Sequence, residues 1–310
     1  MSARRDCHRC LPRCVLLTLL VASCAAREIC DKTKCPGPLK FYRELDCTPV
    51  YKNPNDCCPE AFNCSYLDNL SRDKCYVNGH EYNLGEQLRD EDKNPCDLGC
   101  TCSKGYSGRA ASFICAAVDC GYYPQEENCF QRHSYDSCCP GPPVCLKEGE
   151  TRATCEVDGV TYNDGDTFKP KSDPDLDCTC LPNYKGENIK PFCTKPKHGY
   201  CDPLFRHADD IHEKCAPVFY SNQNPQTDCS YSSRCHSEND TIVHNHDGKS
   251  VSETDKSKMC VFGNMTMHIG DVLNEGDTYS SICVKCTCEV PPFPTCVQQI
   301  DCDYSRVKQP

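Results

Sequence analysis

Large apolar side chains are scarce in this chain. Leu, Ile, Val and Phe together supply 52 of its 310 residues, too few for one large continuous core at this length, which excludes an ordinary single-core enzyme domain. Beyond the N-terminal segment no stretch approaches the ~18 consecutive apolar residues that a membrane-crossing helix needs, so no spanning segment is expected. Catalytic signatures are missing as well. There is neither a Gly-x-Ser-x-Gly elbow nor a His-Glu-x-x-His pair, the Gly-Tyr-Ser-Gly stretch at 105–108 reads as a loop, and cysteines tied up in bridges cannot serve as nucleophiles. No enzymatic activity is expected. Nor is there an excess of basic charge: 34 Lys and Arg face 45 Asp and Glu, for a net charge of −11. That balance disfavours nucleic acid and heparin-like polymers as bulk partners and suits solubility or a basic protein partner.

What the chain has in abundance is cysteine, 34 residues of it, above the ~8–10% that marks a disulfide scaffold. Bridges in such number need an oxidising compartment. Arg4, Arg5, Arg9 and Arg13 precede an apolar run at 15–22 and the small residues Ser23, Ala25 and Ala26, which reads as a secretory signal peptide over 1–26. Its removal takes Cys7, Cys10, Cys14 and Cys24 and leaves 30 of the 34 cysteines, an even number that can all pair. Four Asn-x-Ser/Thr sequons, at Asn63, Asn69, Asn239 and Asn264, fit a secreted, extracellular glycoprotein with those positions on the surface.

Internal repetition organises the rest. Three segments align without gaps from a shared cysteine: Cys75-Tyr-Val-Asn-Gly-His-Glu-Tyr-Asn-Leu-Gly-Glu, Cys155-Glu-Val-Asp-Gly-Val-Thr-Tyr-Asn-Asp-Gly-Asp and Cys260-Val-Phe-Gly-Asn-Met-Thr-Met-His-Ile-Gly-Asp. Asn78-Gly79 and Asp158-Gly159 are tight-hairpin dipeptides, and Gly263-Asn264 is expected in the same role. Tyr82, Tyr162 and Met267 share one slot of the following strand, and Gly85, Gly165 and Gly270 share the next turn. Each copy continues into a Cys-x-Cys element, Cys100/Cys102, Cys178/Cys180 or Cys286/Cys288, and then a spaced pair, Cys115/Cys120, Cys193/Cys201 or Cys296/Cys302. A second half-module follows the first two copies (Cys129, Cys138, Cys139, Cys145; then Cys215, Cys229, Cys235), and its spacing also opens the chain at Cys30, Cys35, Cys47, Cys57, Cys58 and Cys64. The expected order is an opening half-module at 27–65, a first module at 75–145, a second at 155–235, a polar linker at 236–259, a closing half-module at 260–302 and a tail at 303–310.

This pattern, Cys-x-x-[Asp/Asn]-Gly-x-x-Tyr-x-x-Gly-[Asp/Glu], then Cys-x-Cys, then Cys-Cys, resembles the von Willebrand factor type C (VWC) repeat of chordin-like and kielin-like secreted proteins. The resemblance covers nearly all of 30–302 and implies a small disulfide-rich, mainly β fold of tandem modules, with β-hairpins, loop-rich cystine-knotted halves and little helix. It also implies bridges Cys75–Cys102, Cys100–Cys115, Cys120–Cys139 and Cys129–Cys145 in the first module, and Cys155–Cys180, Cys178–Cys193, Cys201–Cys229 and Cys215–Cys235 in the second. One bridge follows from an internal comparison. Nothing before Cys178 corresponds to Cys96 or Cys283, and Asp228 stands in the slot of Cys57 and Cys138. Joint loss avoids an unpaired thiol, so the two absences amount to one missing bridge, and its counterpart in the first module is Cys96–Cys138. At the truncated ends Cys30 is expected to close on Cys57 and Cys283 on Cys302, or each couple to join another chain in self-association.

Function is expected to be binding. Resemblance to chordin-like proteins implies a secreted growth factor of the bone morphogenetic or TGF-β class as partner; a matrix, cuticle or host-defence protein is one alternative. A protease inhibitor is another, with Lys104 and Arg109 as candidate primary residues between Cys102 and Cys115. Met265, Met267 and Ile269 alternate with Thr266 and His268, so all three fall on one strand face, the candidate partner surface. No cofactor or metal is expected: only Cys283-x-x-Cys286 has knuckle spacing, and structural zinc favours reducing compartments. His207 and His212 with Asp209 and Asp210, and the run His244-x-His246-Asp247, have cation-binding side chains but lie in polar segments that read as solvated loops.

Overall fold

Each repeat begins as a hairpin because its turn residues accept a left-handed backbone. Asn78 and Gly79 have φ of 52° and 73°, and Asp158 and Gly159 have 53° and 83°, as a two-residue turn with both central residues at positive φ requires. The third hairpin differs from expectation: Gly263 is left-handed (56°) while Asn264 is not, the arrangement that places glycine first. Register is nevertheless common to all three, with Cys75 opposite Tyr82, Cys155 opposite Tyr162 and Cys260 opposite Met267. A computed structural model of the chain describes residues 30–121, 127–244, 258–276, 278 and 281–300. The expected signal peptide, the tail and Cys302 lie outside them. The chain divides into two units, Met1–Cys30 and Asp31–Pro310, and the described fold belongs to the second. It is disulfide-rich and mainly β, with three short α-helices, Leu39–Glu44, Pro203–Arg206 and Ala208–His212, among the described residues.

After each hairpin the chain turns back on its own cystine. Gly85, Gly165 and Gly270 donate their N–H groups to the carbonyls of Cys102, Cys180 and Cys288 at 2.8, 2.7 and 2.8 Å. Those cysteines are bridged to the hairpin starts as Cys75–Cys102, Cys155–Cys180 and Cys260–Cys288. A second bridge closes the next strand pair in each copy: Cys100–Cys115, Cys178–Cys193 and Cys286–Cys296. The loop-rich halves carry Cys35–Cys58 and Cys47–Cys64, then Cys120–Cys139 and Cys129–Cys145, then Cys201–Cys229 and Cys215–Cys235. Cys96 is joined to Cys138. Cys30, Cys57 and Cys283 are disulfide-bonded too.

The halves do not keep to their own modules, so a row of separately packed modules is not what is found. Tyr42 of the opening half-module is fully buried among Phe41, Leu45, Leu67, Leu204, Val290 and Phe293. Its hydroxyl donates to the Val290 carbonyl at 2.6 Å and accepts from the Phe293 N–H at 2.8 Å, and its ring stacks on Phe62 at 4.3 Å. Phe62 in turn donates its N–H to the Pro291 carbonyl at 2.8 Å. Gly37, at φ 81°, lets the backbone pass where any Cβ would meet Val290 at 2.8 Å. The first module packs Phe113 against Phe205 of the second, ring centroids 5.0 Å apart. Arg132 of the first module makes a two-pronged ion pair with Asp164 of the second at 2.8 and 2.6 Å.

The longest sheet also crosses module boundaries. Its order is Ser232–Arg234, Ala216–Phe219, Thr295–Gln298, Val284–Thr287, Val272–Leu273 and Ile242–Val243, with Ala216–Phe219 of the second module parallel to Thr295–Gln298 of the closing half-module. This corrects the reading of 236–259 as a linker. Its first part is folded, because Ile242–Val243 pairs with Val272–Leu273 and Asp240 is buried against Arg234, Nη2 to Oδ1 2.5 Å. Arg234 also donates to the carbonyls of Val284 (3.3 Å) and Asn274 (3.1 Å). A buried charge left without its partner costs about 3–5 kcal/mol. Arg234→Met should therefore destabilise the oxidised protein by about that much in a denaturant titration, and Arg234→Met with Asp240→Leu should recover most of the loss.

Candidate functional site

A groove of about 1510 Å³ opens among the described residues. It is bordered by the opening half-module (Lys32, Arg43), the tip of the first hairpin (Asn78, Gly79) and the second module at 169–175 and 195–202. Some charges at its edge are already matched: Lys40 with Glu44 at 2.9 Å, Arg43 with Asp175 at 3.2 Å and Lys169 with Asp177 at 2.7 Å. Lys32, Lys171, Lys195 and Lys197 also line it. All four are exposed, and none forms an ion pair with another described residue. The same lining carries Asp46, Glu81, Asp202 and Asp228, so the groove is mixed in charge, and the four unpaired lysines are the cations in it available to an anionic segment of a partner.

The groove wall is fixed by a buried polar cluster. His198 Nε2 lies 2.8 Å from Asp97 Oδ2 and its Nδ1 lies 3.9 Å from Asp202. Asn94 donates its side-chain amide to the His198 carbonyl at 3.0 Å and accepts from the Lys197 N–H at 2.8 Å, so the cluster holds one groove lysine in place. Asp202 caps the helix Pro203–Arg206 by accepting from the Phe205 N–H at 3.2 Å. Burial pulls the His198 imidazole down, but its hydrogen bond to Asp97 and the charges of Asp97 and Asp202 outweigh that and hold it above the usual histidine value. Asp97 is likewise penalised by burial, yet the bond to His198 keeps it below the usual carboxylate value. Burial pushes Asp202 up to about 6.

The candidate partner face is largely interior. Met267 is fully buried with Phe262, Ala216 and Val218, and Met265 is half-buried against the same cluster, so strand Ala216–Phe219 of the second module helps cover it. A charge at position 265 would press on this core. Only Ile269 is exposed. The loop proposed for protease inhibition presents Lys104 and Arg109 to solvent, with Tyr106 88% exposed. It is a tight turn at Tyr106–Gly108 with Ser107 left-handed at φ 55°, whereas a protease cleft takes up an extended strand. All four sequon residues, Asn63, Asn69, Asn239 and Asn264, are exposed. Of the histidine groups, His207 and His212 do not converge on Asp209, whose carboxylate accepts from Arg72 at 2.9 Å and from the Ala110 N–H at 2.8 Å. His246 and Asp247 fall outside the described residues, and His244 meets His268 and Asp271 instead.

Sequence reasoning missed the groove and the His198 cluster, since Asp97 and His198 stand 101 residues apart and neither belongs to the repeated motif. No family model matches the chain, and no solved structure matches it. Among the described residues no helix is long and apolar enough to cross a membrane.

The His198 cluster sets a pH dependence. A base held above its ordinary pKa contributes stability that is complete below about 6.5 and is lost as pH rises through the folded value. Asp202, held up at about 6, acts in the same sense, because its ionisation in the folded state is unfavourable. Asp97 acts oppositely, losing its contribution only as pH falls through its lowered value. His198→Gln should cost about 3 kcal/mol near pH 5.5, by leaving Asp97 without its charged partner, and less at pH 8.5. Denaturant titrations of both proteins at the two pH values measure this.

Proposed function

We propose that this chain is a secreted extracellular binding protein of the VWC-repeat kind, acting by capture of another secreted protein. The observation that carries the reading is the groove whose rim sets Lys32, Lys171, Lys195 and Lys197 against solvent. A groove bordered by the opening half-module and both full modules offers a rigid, cross-linked concave surface, and rigidity reduces the ordering cost of binding. The unpaired lysines select a ligand with an acidic stretch, and their main effect is on encounter rate and partner choice. Resemblance to chordin-like and kielin-like proteins gives the ligand class, a growth factor of the bone morphogenetic or TGF-β type. The signal peptide at 1–26, the bridges and glycans on the exposed sequon residues belong to the same extracellular setting. The inhibitor reading is disfavoured by the turned loop at 104–109.

Immobilised full-length protein challenged with a panel of secreted growth factors should retain at least one, with affinity that falls as salt rises. Lys171→Glu with Lys197→Glu should weaken that binding by at least about tenfold, about 1.4 kcal/mol, without changing the disulfide map. Retention unaffected by the double substitution would remove the groove from consideration.

A further inference from the structure

One turn recurs in all three hairpins and in one copy has acquired different chemistry. Two residues before the turn glycine stands a residue whose N–H is capped by the carboxylate just after that glycine: Asn83 by Glu86 at 2.7 Å, Asn163 by Asp166 at 2.8 Å and His268 by Asp271 at 2.8 Å. In the first two copies the asparagine amide donates to the same carboxylate, at 3.2 Å in both. In the third, an imidazole takes the amide's place. A second imidazole arrives from the segment absent in the other copies: Ile242–Val243 pairs with Val272–Leu273, with Val243 opposite Val272, and this sets His244 beside Asp271. His244 Nδ1 lies 3.1 Å and His268 Nδ1 3.6 Å from Asp271 Oδ2, and the two ring centroids are 6.4 Å apart. One ligand atom from each of the three residues lies within 4.8 Å of the others. The Asp271 side chain is 0% exposed and His244 is 62% exposed, so the carboxylate forms the floor and His244 the mouth. The cap carboxylate of the second copy, Asp166, is 41% exposed.

We propose that His244, His268 and Asp271 form a site for a divalent transition-metal ion of the zinc class. Two imidazoles and one carboxylate are a ligand set suited to zinc. Around a tetrahedral zinc with bonds of about 2.0–2.1 Å, ligand atoms stand roughly 3.3–3.4 Å apart, and the two measured separations to Asp271 bracket that spacing. With three protein ligands, water or a ligating side chain would complete a four-coordinate shell. Bound metal would clamp the edge strand Ile242–Val243 onto the hairpin turn, replacing the amide cap of the other two copies with a stronger tie. The site is distinct from the lysine-rimmed groove and does not depend on the growth-factor reading.

The test uses the full-length, oxidised, chelator-treated protein without a histidine tag, with Co²⁺ and Zn²⁺ alone as probes. One equivalent of Co²⁺ should bind and give the visible d–d bands of a low-coordinate site, and Zn²⁺ should displace it and raise the thermal midpoint. His244→Ala, at an exposed position, and His268→Asn, which installs the residue of the other two copies, should each weaken binding at least about tenfold. Each should also abolish the zinc-induced rise in midpoint, measured against that variant's own metal-free midpoint. Failure of the wild-type protein to take up Co²⁺ would overturn the proposal, as would uptake by both variants equal to wild type.

Discussion

The cystine at the foot of each hairpin is the constraint on which the rest of the structure depends. A hairpin of two four-residue strands is not stable alone in water, and this chain has few large apolar residues with which to bury one. Cys75–Cys102, Cys155–Cys180 and Cys260–Cys288 solve both problems at once. They restrict the unfolded chain, each contributing about 2–4 kcal/mol on the chain-entropy account, and their buried sulfurs are core material. Cys260, Cys286, Cys288 and Cys296 make up much of the cluster around Phe262 and Met267. The Gly85, Gly165 and Gly270 turns then hydrogen-bond to the bridged cysteines' own carbonyls, so bridge and turn fix each other.

Cores this small leave apolar faces uncovered, and the chain covers them by packing halves across module boundaries. Tyr42 enters the closing half-module, Phe205 reaches the first module and Ala216–Phe219 adds a parallel strand beside Thr295–Gln298. The groove is a consequence of that packing, since the opening half-module, the first hairpin tip and the second module border one concavity only when held together. Its lysines are scattered through the sequence and converge only in the fold. The His198–Asp97 pair ties the groove wall of the second module to the first.

How much of this the sequence discloses depends on the range of the interaction. Asn78-Gly79 and Asp158-Gly159 are legible because positive φ at two successive residues is a local demand that few residue types meet. The shared slot of Tyr82, Tyr162 and Met267 is legible because it keeps one distance from its cysteine. The absence of counterparts to both Cys96 and Cys138 in one module is legible as one missing bridge. Alternation at Met265, Met267 and Ile269 identifies a strand face but not its cover, which comes from a strand of another module. Two apolar residues, Ile242 and Val243, are too short a signal in a polar stretch to announce a strand. Nothing local marks Arg234 and Asp240 as a buried pair, or Asp97 and His198 as neighbours.

Amide hydrogen exchange on the oxidised protein tests most directly the claim that the halves are held together across module boundaries. The Phe62 N–H, bonded to the Pro291 carbonyl, and the Phe293 N–H, bonded to the Tyr42 hydroxyl, should be strongly protected in the native chain. Both should lose that protection in Tyr42→Ala while amides of the hairpin Lys74–Val77/His80–Asn83 keep theirs. Exchange of the Phe62 and Phe293 amides in the native protein as fast as in exposed loops would contradict the account.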